Sequence, residues 1–244
     1  VQSIPGIVST HDTASILTTN FWEYVGPLVF GTIWASFLAL LMAVPLSIGV
    51  ALFISHYAPR KLAQALGYVV DLLAAVPSVV FGLWGILVLA PAVQPVYNWF
   101  VTNMGWFPLF TGPVSSTGRT IFTAAMVLAV MVVPIITAIS REIFLQTPVL
   151  HEEAALALGA TRWEMVRMAV LPFGRSGIIS ASMLGLGRAL GETMAVAMVL
   201  SATGVVTFPL FTPGNPTTIP ANIAPSFPEA DGTNINVLIA TGLN

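Results

Sequence analysis

The 244-residue chain contains no cysteine and very few charged residues. Without cysteine it forms no disulfide, no thiolate metal site and no cysteine nucleophile. Charged residues make up 7% of the chain and hydrophobic residues 56%, whereas a soluble domain is about 25% charged. So few charges could not cover the surface of a soluble protein of this length. The composition therefore excludes an ordinary soluble domain and predicts a protein whose surface faces lipid.

Four long apolar segments predict transmembrane helices. Crossing a hydrocarbon core about 30 Å thick takes roughly 20 helical residues. We predict complete spans at 26–55, 66–90, 120–140 and 176–203, and the start of a last span at 235–244. The expected fold class is all-α, a polytopic transmembrane helical bundle with four complete spans and a partial fifth. The whole chain, 1–244, is expected to form a single transmembrane domain.

The basic residues of the loops orient these spans, because cytoplasmic loops of membrane proteins carry an excess of lysine and arginine. Six of them fall on one predicted side (Arg60, Lys61, Arg141, Arg162, Arg167 and Arg175), and only Arg119 falls on the other. We therefore place residues 56–65 and 141–175 in the cytoplasm, and residues 1–25, 91–118 and 204–234 outside. An outer N-terminal segment also requires a further span upstream of Val1, which we expect in the natural chain.

Proline occurs inside three of the predicted spans, at Pro45, Pro77 and Pro134. Each proline removes a backbone hydrogen bond and kinks its helix. Membrane helices tolerate such breaks where neighbouring groups satisfy the backbone. Both ordinary kinks in a packed bundle and hinges remain open.

A cation and an anion, Arg188 and Glu192, interrupt the apolar segment 178–200. On a straight helix they lie one turn apart on the same face and can pair. A charge inside a bilayer costs about 2.5–3.5 kcal/mol on insertion scales, so such residues usually have a purpose. One interpretation is an internal ion pair that fixes helix packing. The other is a functional site, in which Arg188 offers its planar fork of donors to an oxyanion while Glu192 partly neutralises Arg188 or accepts a hydrogen bond from a protonated oxygen.

Small residues recur at every fourth position of the predicted span 176–203: Gly177, Ala181, Gly185, Ala189, Thr193, Ala197 and Ser201. Rows of this kind let the backbones of membrane helices approach closely. We expect this helix to be packed by protein on much of its circumference, inside the bundle.

The predicted cytoplasmic loop 141–175 carries the signals of two short helices. The first begins with Thr147 as N-cap, followed by proline, and ends before Gly159 at the C′ position. Thr161 and Glu164 have the spacing of a capping box, which starts the second helix. These local signals alone fit a purely structural loop as well as a functional one.

The residues of this loop resemble the EAA loop of permeases of ABC importers. The family pattern is E-A-A, three residues, G, nine residues, then I-x-L-P, and the chain departs from it only at Ala169 in place of isoleucine. The matching residues are Glu153, Ala154, Ala155, Gly159, Leu171 and Pro172. In that family the loop forms a coupling helix that seats in a cleft of the ATP-hydrolysing subunit. The resemblance therefore implies ATPase coupling for these residues.

Longer stretches are similar to the C-type permease subunits of phosphate-specific (Pst) ABC importers. They are EEAALALGATRWEMVRMAVLPFGRSGI, GLGRALGETMAVAMVL, AVPLSIGVALFISHYAPRKL and AAVPSVVFGLWG. The similarity covers most of the chain from about Asn20 onward. It implies a type I importer-like permease of the bacterial plasma (inner) membrane, with Arg188 and Glu192 in the pathway of inorganic phosphate.

The same resemblance implies a set of partners: a sister A-type permease in a heterodimer, two B-type ATPase subunits, an external phosphate-binding protein, inorganic phosphate and membrane lipid, but no nucleic acid. The chain itself would hold no cofactor or metal, since the partner ATPase would bind ATP and magnesium. The alternatives are a permease for another oxyanion, such as sulfate, molybdate or phosphonate, and the sister A-type phosphate permease.

An intramembrane enzyme is the competing class of function. It would need a nucleophile with a base, or metal ligands, at membrane depth. The three histidines (His11, His56 and His151) all fall in loops or at span edges, so we expect a transport subunit rather than an enzyme. Two further charges, Asp71 and Arg119, lie near span ends, where we expect interface anchoring or helix capping.

Overall fold

The computed structural model describes residues 21–201, 206–229 and 233–242, and within these ranges the chain is helical, with no β-strand. The described residues form nine helices besides two single 3₁₀ turns. They are α1 (Phe21–Leu52, continued by a π-helical turn at Phe53–Tyr57), α2 (Arg60–Ala74), α3 (Ser78–Met104), α4 (Ile121–Leu145), α5 (Val149–Ala157), α6 (Arg162–Leu190), α7 (Met194–Val199), α8 (Ile219–Ser226) and α9 (Thr233–Gly242).

Four helices in the described part of the chain are long and apolar enough to cross a membrane. They are Tyr24–Tyr57, Ser78–Met104, Ile121–Leu145 and Arg162–Leu190. The predicted all-α fold with four membrane-length helices is thus confirmed. α9 contains the residues predicted to start the last span, up to Gly242. The predicted outer segment 1–25 lies mostly outside the described residues, as does His11.

The predicted second span, 66–90, has the wrong bounds. α2 ends at Ala74 and a separate helix, α3, begins at Ser78 and continues to Met104. Pro77 explains the break: its backbone is extended (φ −59°, ψ 139°), and a proline disfavours helical backbone in the residue before it. Part of the predicted outer loop 91–118 is consequently helical.

The predicted fourth span, 176–203, is also divided. α6 ends at Leu190, and α7 begins only at Met194. Gly191 lies directly after α6, and glycine is the ordinary residue at which a helix stops, because its backbone has the most freedom to lose. The small-residue row therefore shares one helix only from Gly177 to Ala189.

The chain forms two compact units. Among the described residues, one unit comprises 21–38, 77–128, 190–201, 206–229 and 233–242, and the other comprises 39–76 and 129–189. In the first unit, aromatic rings form a buried cluster in which Phe211 stacks on Tyr97, with ring centroids 4.3 Å apart, and on Phe110 at 5.3 Å. The second unit has an apolar core of Ala51, Leu52, Phe144, Met165, Val166 and Val170.

Within the second unit, glycines bring α6 close to α4. A Cβ at Gly177 would collide with Ile143, and one at Gly185 would lie 2.8 Å from side-chain carbons of Val132 and Ile136. At Gly177 and Gly185 the predicted close approach of helix backbones is therefore confirmed. We predicted that α6 is packed by protein on much of its circumference. Within this chain alone that packing is not reached, because 22% of the most apolar stretch of α6 is buried, against 67% for α4.

We expect Gly185→Val to lower the melting temperature of the purified protein in detergent. The added carbons would overpack the α4–α6 contact at a cost of about 1–3 kcal/mol, which corresponds to roughly 2–12 °C in a chain of this size. Gly187→Val is the matched control, since the space around Gly187 is open and the helix-propensity cost is the same. Equal melting temperatures for the two variants would contradict this packing.

Candidate functional site

Arg188 lies in the last turn of α6 and is half-buried. The free carbonyl groups of a helix C-terminus favour a cation at this position. The guanidinium makes no hydrogen bond or ion pair with any residue in the ranges that the structure describes. Its donors are therefore not satisfied by a described residue of this chain.

Glu192 lies outside α6, in the short break before α7, and is 9% exposed. Its Oε1 accepts a hydrogen bond of 3.0 Å from the backbone N–H of Ala195. This N–H belongs to the first turn of α7, where intrahelical acceptors are missing and the helix dipole favours an anion. Glu192 therefore caps α7. The predicted placement of Arg188 and Glu192 one turn apart on a single helix is wrong, because the helix ends at Leu190 between them.

Arg119 is a helix cap at the other end of α7. Its guanidinium donates to the carbonyl oxygens of Met198 at 2.8 Å, Val199 at 3.4 Å and Leu200 at 3.5 Å. These carbonyls form the C-terminal end of α7, where a cation is favourable. Of the two predicted roles for Arg119, capping is confirmed.

Asp71 has a different environment from the one expected. It lies on α2, and its Oδ2 is 3.8 Å from Nη2 of Arg141 on α4. The Asp71 side chain is half-exposed, so this long ion pair contributes little. Gly67, one turn before Asp71, lets the Arg141 guanidinium lie directly against the backbone of α2. Sequence reasoning missed this contact, which joins residues about 70 positions apart.

The cytoplasmic loop begins with α5, and its two ends differ in how well the sequence predicted them. Pro148, not Thr147, is the N-cap, and the buried Thr147 hydroxyl has no hydrogen-bond partner among the described residues. At the other end Gly159 is at C′ as predicted, with a φ of +87°. The Gly159 N–H donates to the carbonyl of Leu156 at 3.0 Å and the Ala160 N–H to that of Ala155 at 3.2 Å, which is the Schellman motif.

The predicted capping box at the start of α6 is confirmed. The Thr161 hydroxyl accepts from the Glu164 N–H at 3.3 Å, and the Thr161 N–H donates to the Glu164 carboxylate at 2.7 Å. A fixed turn at Gly159 is thus followed within two residues by a fixed helix start. The loop between α5 and α6 is rigid at both of its ends.

The residues of the EAA-like pattern separate into an inner and an outer group. Ala155 and Leu171 both pack against the core of the second unit, although they lie 16 positions apart. Glu153, Ala154, Gly159 and Pro172 are exposed. Exposed apolar side chains also lie on α5 and at its C-cap, with Leu150 77% and Leu158 90% accessible. α5 is therefore anchored on one side and presents an uncovered apolar surface on the other.

A contact that the sequence did not predict attaches α5 to the end of α1. Nε2 of His56 lies 3.4 Å from Oε1 of Glu152, and Nδ1 of His56 bonds the Ser55 hydroxyl at 2.7 Å. These residues and Arg162 line a cavity of about 300 Å³. The contact joins residues 96 positions apart, so no local signal could indicate it.

Membrane-length helices, a glycine-packed helix pair and a short exposed helix with an apolar surface are features of a membrane subunit that docks another protein. The sequence model of the binding-protein-dependent transport system inner membrane component matches residues 43–230. The chain belongs to this family. It is an inner-membrane transport component rather than an enzyme.

Curated relatives are similar over most of the chain. The phosphate transport system permease protein PstC 2 of Mycobacterium bovis is 52% identical over 226 residues, which cover 88% of this chain and 69% of the relative. The phosphate transport system permease protein PstC of Mesorhizobium japonicum is 42% identical, covering 94% and 72%. The resemblance described from the sequence is thereby confirmed.

A solved structure shares the fold at much lower identity. It is the MetNI methionine ABC transporter in an inward-facing conformation, with a TM-score of 0.56 and 17% identity, covering 94% of this chain and 88% of the other. At this identity the likeness concerns the fold alone, and it agrees with an ABC importer permease.

Proposed function

We propose that the chain is the C-type permease subunit of an ATP-driven importer of inorganic phosphate and forms half of the translocation path. The observation that carries the proposal is the half-buried Arg188, whose donors have no partner among the described residues. Relatives 42–52% identical to this chain are phosphate transport permeases. An unpaired guanidinium in an apolar helix is costly unless an anion visits it.

Arg188 is the proposed contact for the travelling anion. Its planar fork of N–H groups fits two oxygens of phosphate. Glu192 lowers the positive potential near the path and supplies an acceptor for a protonated phosphate oxygen, which sulfate lacks at neutral pH. Such an acceptor would favour phosphate over sulfate.

The exposed surface of α5 is the proposed contact for a cytoplasmic ATPase. Glu153 and Ala154 lie on this surface, Gly159 follows its end, and Ala155 and Leu171 anchor it on the core. Pro172, the last residue of the pattern, is exposed. A short helix with fixed ends passes a rigid-body displacement of its partner to the membrane helices. The proposed assembly comprises a sister A-type permease, two B-type ATPase subunits and an external phosphate-binding protein. ATP and magnesium would bind to the ATPase, and this chain would hold no cofactor.

Uptake of labelled phosphate tests the function directly. Cells in which this chain completes the importer should accumulate phosphate, and a hundredfold excess of sulfate or molybdate should leave that uptake unchanged, because neither anion carries a proton at neutral pH for Glu192 to accept. A phosphonate keeps a protonatable oxygen, so it is the more demanding competitor. Cells without the chain are the control. If the cells accumulate another of these oxyanions and take up no phosphate, that oxyanion is the substrate and the proposal of phosphate is wrong.

Co-purification tests the proposed partners in the same cells. The tagged chain should recover one different permease chain and an ATPase. Recovery of a second copy of this chain as the membrane partner would contradict the heterodimer.

A further inference from the structure

We infer that Arg119 positions the transport path, by holding α7 so that Glu192 keeps its place at the opposite end of this helix. The inference rests on the proposed function, in which Glu192 belongs to the path of the anion. Glu192 and Arg119 occupy the two ends of one six-residue helix. Such a helix is about 9 Å long.

α7 has few hydrogen bonds of its own. Its six residues leave nearly every backbone group without an intrahelical partner at one end or the other, and in a bilayer each such group must be satisfied by protein. The structure satisfies both ends with charged side chains: Glu192 accepts from the Ala195 N–H, and Arg119 donates to the carbonyls of Met198, Val199 and Leu200. The anion lies at the positive end of the helix dipole and the cation at the negative end.

Two glycines of α3 allow α7 to pack closely against this helix. A Cβ at Gly82 would lie 2.9 Å from Cα of Ala195, and one at Gly85 would lie 2.9 Å from a methyl group of Val199. The backbones of α3 and α7 therefore touch, and Ala195 and Val199 are fully buried. The stretch FGLWG, which carried the resemblance without a role of its own, supplies this contact surface.

Arg119 is itself held by the chain around it. The Asn215 side chain donates to the Arg119 carbonyl at 3.3 Å and accepts from the Ile121 N–H, the start of α4, at 3.0 Å. Asn215 is fully buried. The guanidinium thus extends from a fixed backbone, and α7 is fixed at one end by Arg119 and on its side by α3. The position of the Glu192 carboxylate depends on the first turn of α7, because it accepts from the Ala195 N–H of that turn.

Removal of the Arg119 guanidinium should therefore displace the Glu192 carboxylate, although the two side chains lie at opposite ends of α7. In Arg119→Gln, three carbonyls lose a charged donor, and the phosphate uptake of correctly assembled importer should fall by about tenfold or more. Arg119→Lys should recover part of it, because an ammonium reaches one or two of the carbonyls but not all three. Thr218→Ala is the matched control: it removes the N-cap bond of α8 in the same unit and should leave uptake within about twofold.

A thiol reporter measures the seating of α7 without transport. The chain has no cysteine, so Val196→Cys, at a position 2% exposed, introduces a single buried thiol of similar size. Met194→Cys, at a position 52% exposed, is the accessible reference on the same helix. Arg119→Gln should speed the reaction of a small methanethiosulfonate with the Val196→Cys thiol by about tenfold, leave the Met194→Cys thiol unchanged, and leave recovery of the ATPase unchanged.

The outcomes separate this inference from the proposed function. If Glu192→Gln transports phosphate like the wild type, the proposed role of Glu192 in the path is wrong, and the positioning role of Arg119 is wrong with it. If Glu192→Gln loses uptake while Arg119→Gln keeps it and the Val196→Cys thiol stays protected, the path stands and the positioning role of Arg119 is wrong. A loss of uptake in Arg119→Gln with the thiol still protected would also overturn the role, since α7 would not have moved.

Discussion

Replacing Arg188 with glutamine should reduce phosphate uptake by about a hundredfold. A guanidinium offers an oxyanion two charge-assisted hydrogen bonds, each worth about 1.5–3 kcal/mol, and the loss of about 3 kcal/mol is a factor of about 100. Arg188 has no partner among the described residues, so its removal leaves no described anion unpaired. The loss should therefore appear in transport, with little change in the yield or melting temperature of the importer.

Two further variants make this measurement specific. Arg188→Lys keeps the charge but loses the planar fork, and it should give uptake between wild type and glutamine. Arg175→Gln makes the same substitution on the same helix at an exposed position, and it should transport normally. Initial rates of labelled phosphate uptake, scaled to the amount of assembled complex, provide the comparison. Normal uptake by Arg188→Gln would remove Arg188 from the path.

The two interpretations of Arg188 and Glu192 left open by the sequence make different demands on Glu192. A packing ion pair needs its carboxylate to be satisfied by Arg188. In the structure Oε1 accepts from the Ala195 N–H instead, so Glu192 has a structural role that needs no partner on α6. A path residue and a helix cap are compatible roles, because a carboxylate has two oxygens and about four acceptor positions.

Composition predicts the fold class because the fold class depends on the summed apolarity of long segments, and this sum changes little when one helix end is misplaced. The prediction of helix bounds is wrong where the sequence stays apolar across a break between two helices. The segment on either side of Pro77 is apolar, and so is that around Gly191, so a hydropathy window of about 19 residues passes over both. Hydropathy predicts a kink at Pro77 within one helix, whereas its extended backbone separates two helices. Gly191 is a helix-stop residue inside a segment that hydropathy alone treats as one span.

The candidate site was predictable only as far as its contacts are local. Thr161 and Glu164, three residues apart, were found from spacing alone. Glu192 and Ala195 are equally close, and a carboxylate after a stop glycine is a signal for a new helix start that could have been recognised. Arg119 and Met198 are separated by 79 positions. No sequence pattern indicates which distant carbonyls a guanidinium will meet, since that depends on how α3, α4 and α7 pack.

The coupling loop gives the second large effect: Gly159→Arg should abolish recovery of the ATPase with the purified importer and, with it, phosphate uptake. Gly159 ends α5 in the left-handed region, and the space around it within the chain is open. A Cβ at this position would have no described atom of the chain within 4 Å. Its bulk would instead project from the exposed surface of α5 into whatever docks there.

Two smaller substitutions separate bulk from backbone strain. Gly159→Asn accepts the left-handed conformation at little cost, since asparagine visits it routinely. Gly159→Ala adds about 1–2 kcal/mol of strain and almost no bulk. We expect ATPase recovery to be near normal with asparagine, moderately reduced with alanine and lost with arginine. An equal loss with alanine and arginine would mean that the Schellman turn matters and the exposed surface does not. Normal recovery and uptake with arginine would show that no partner occupies this face of α5.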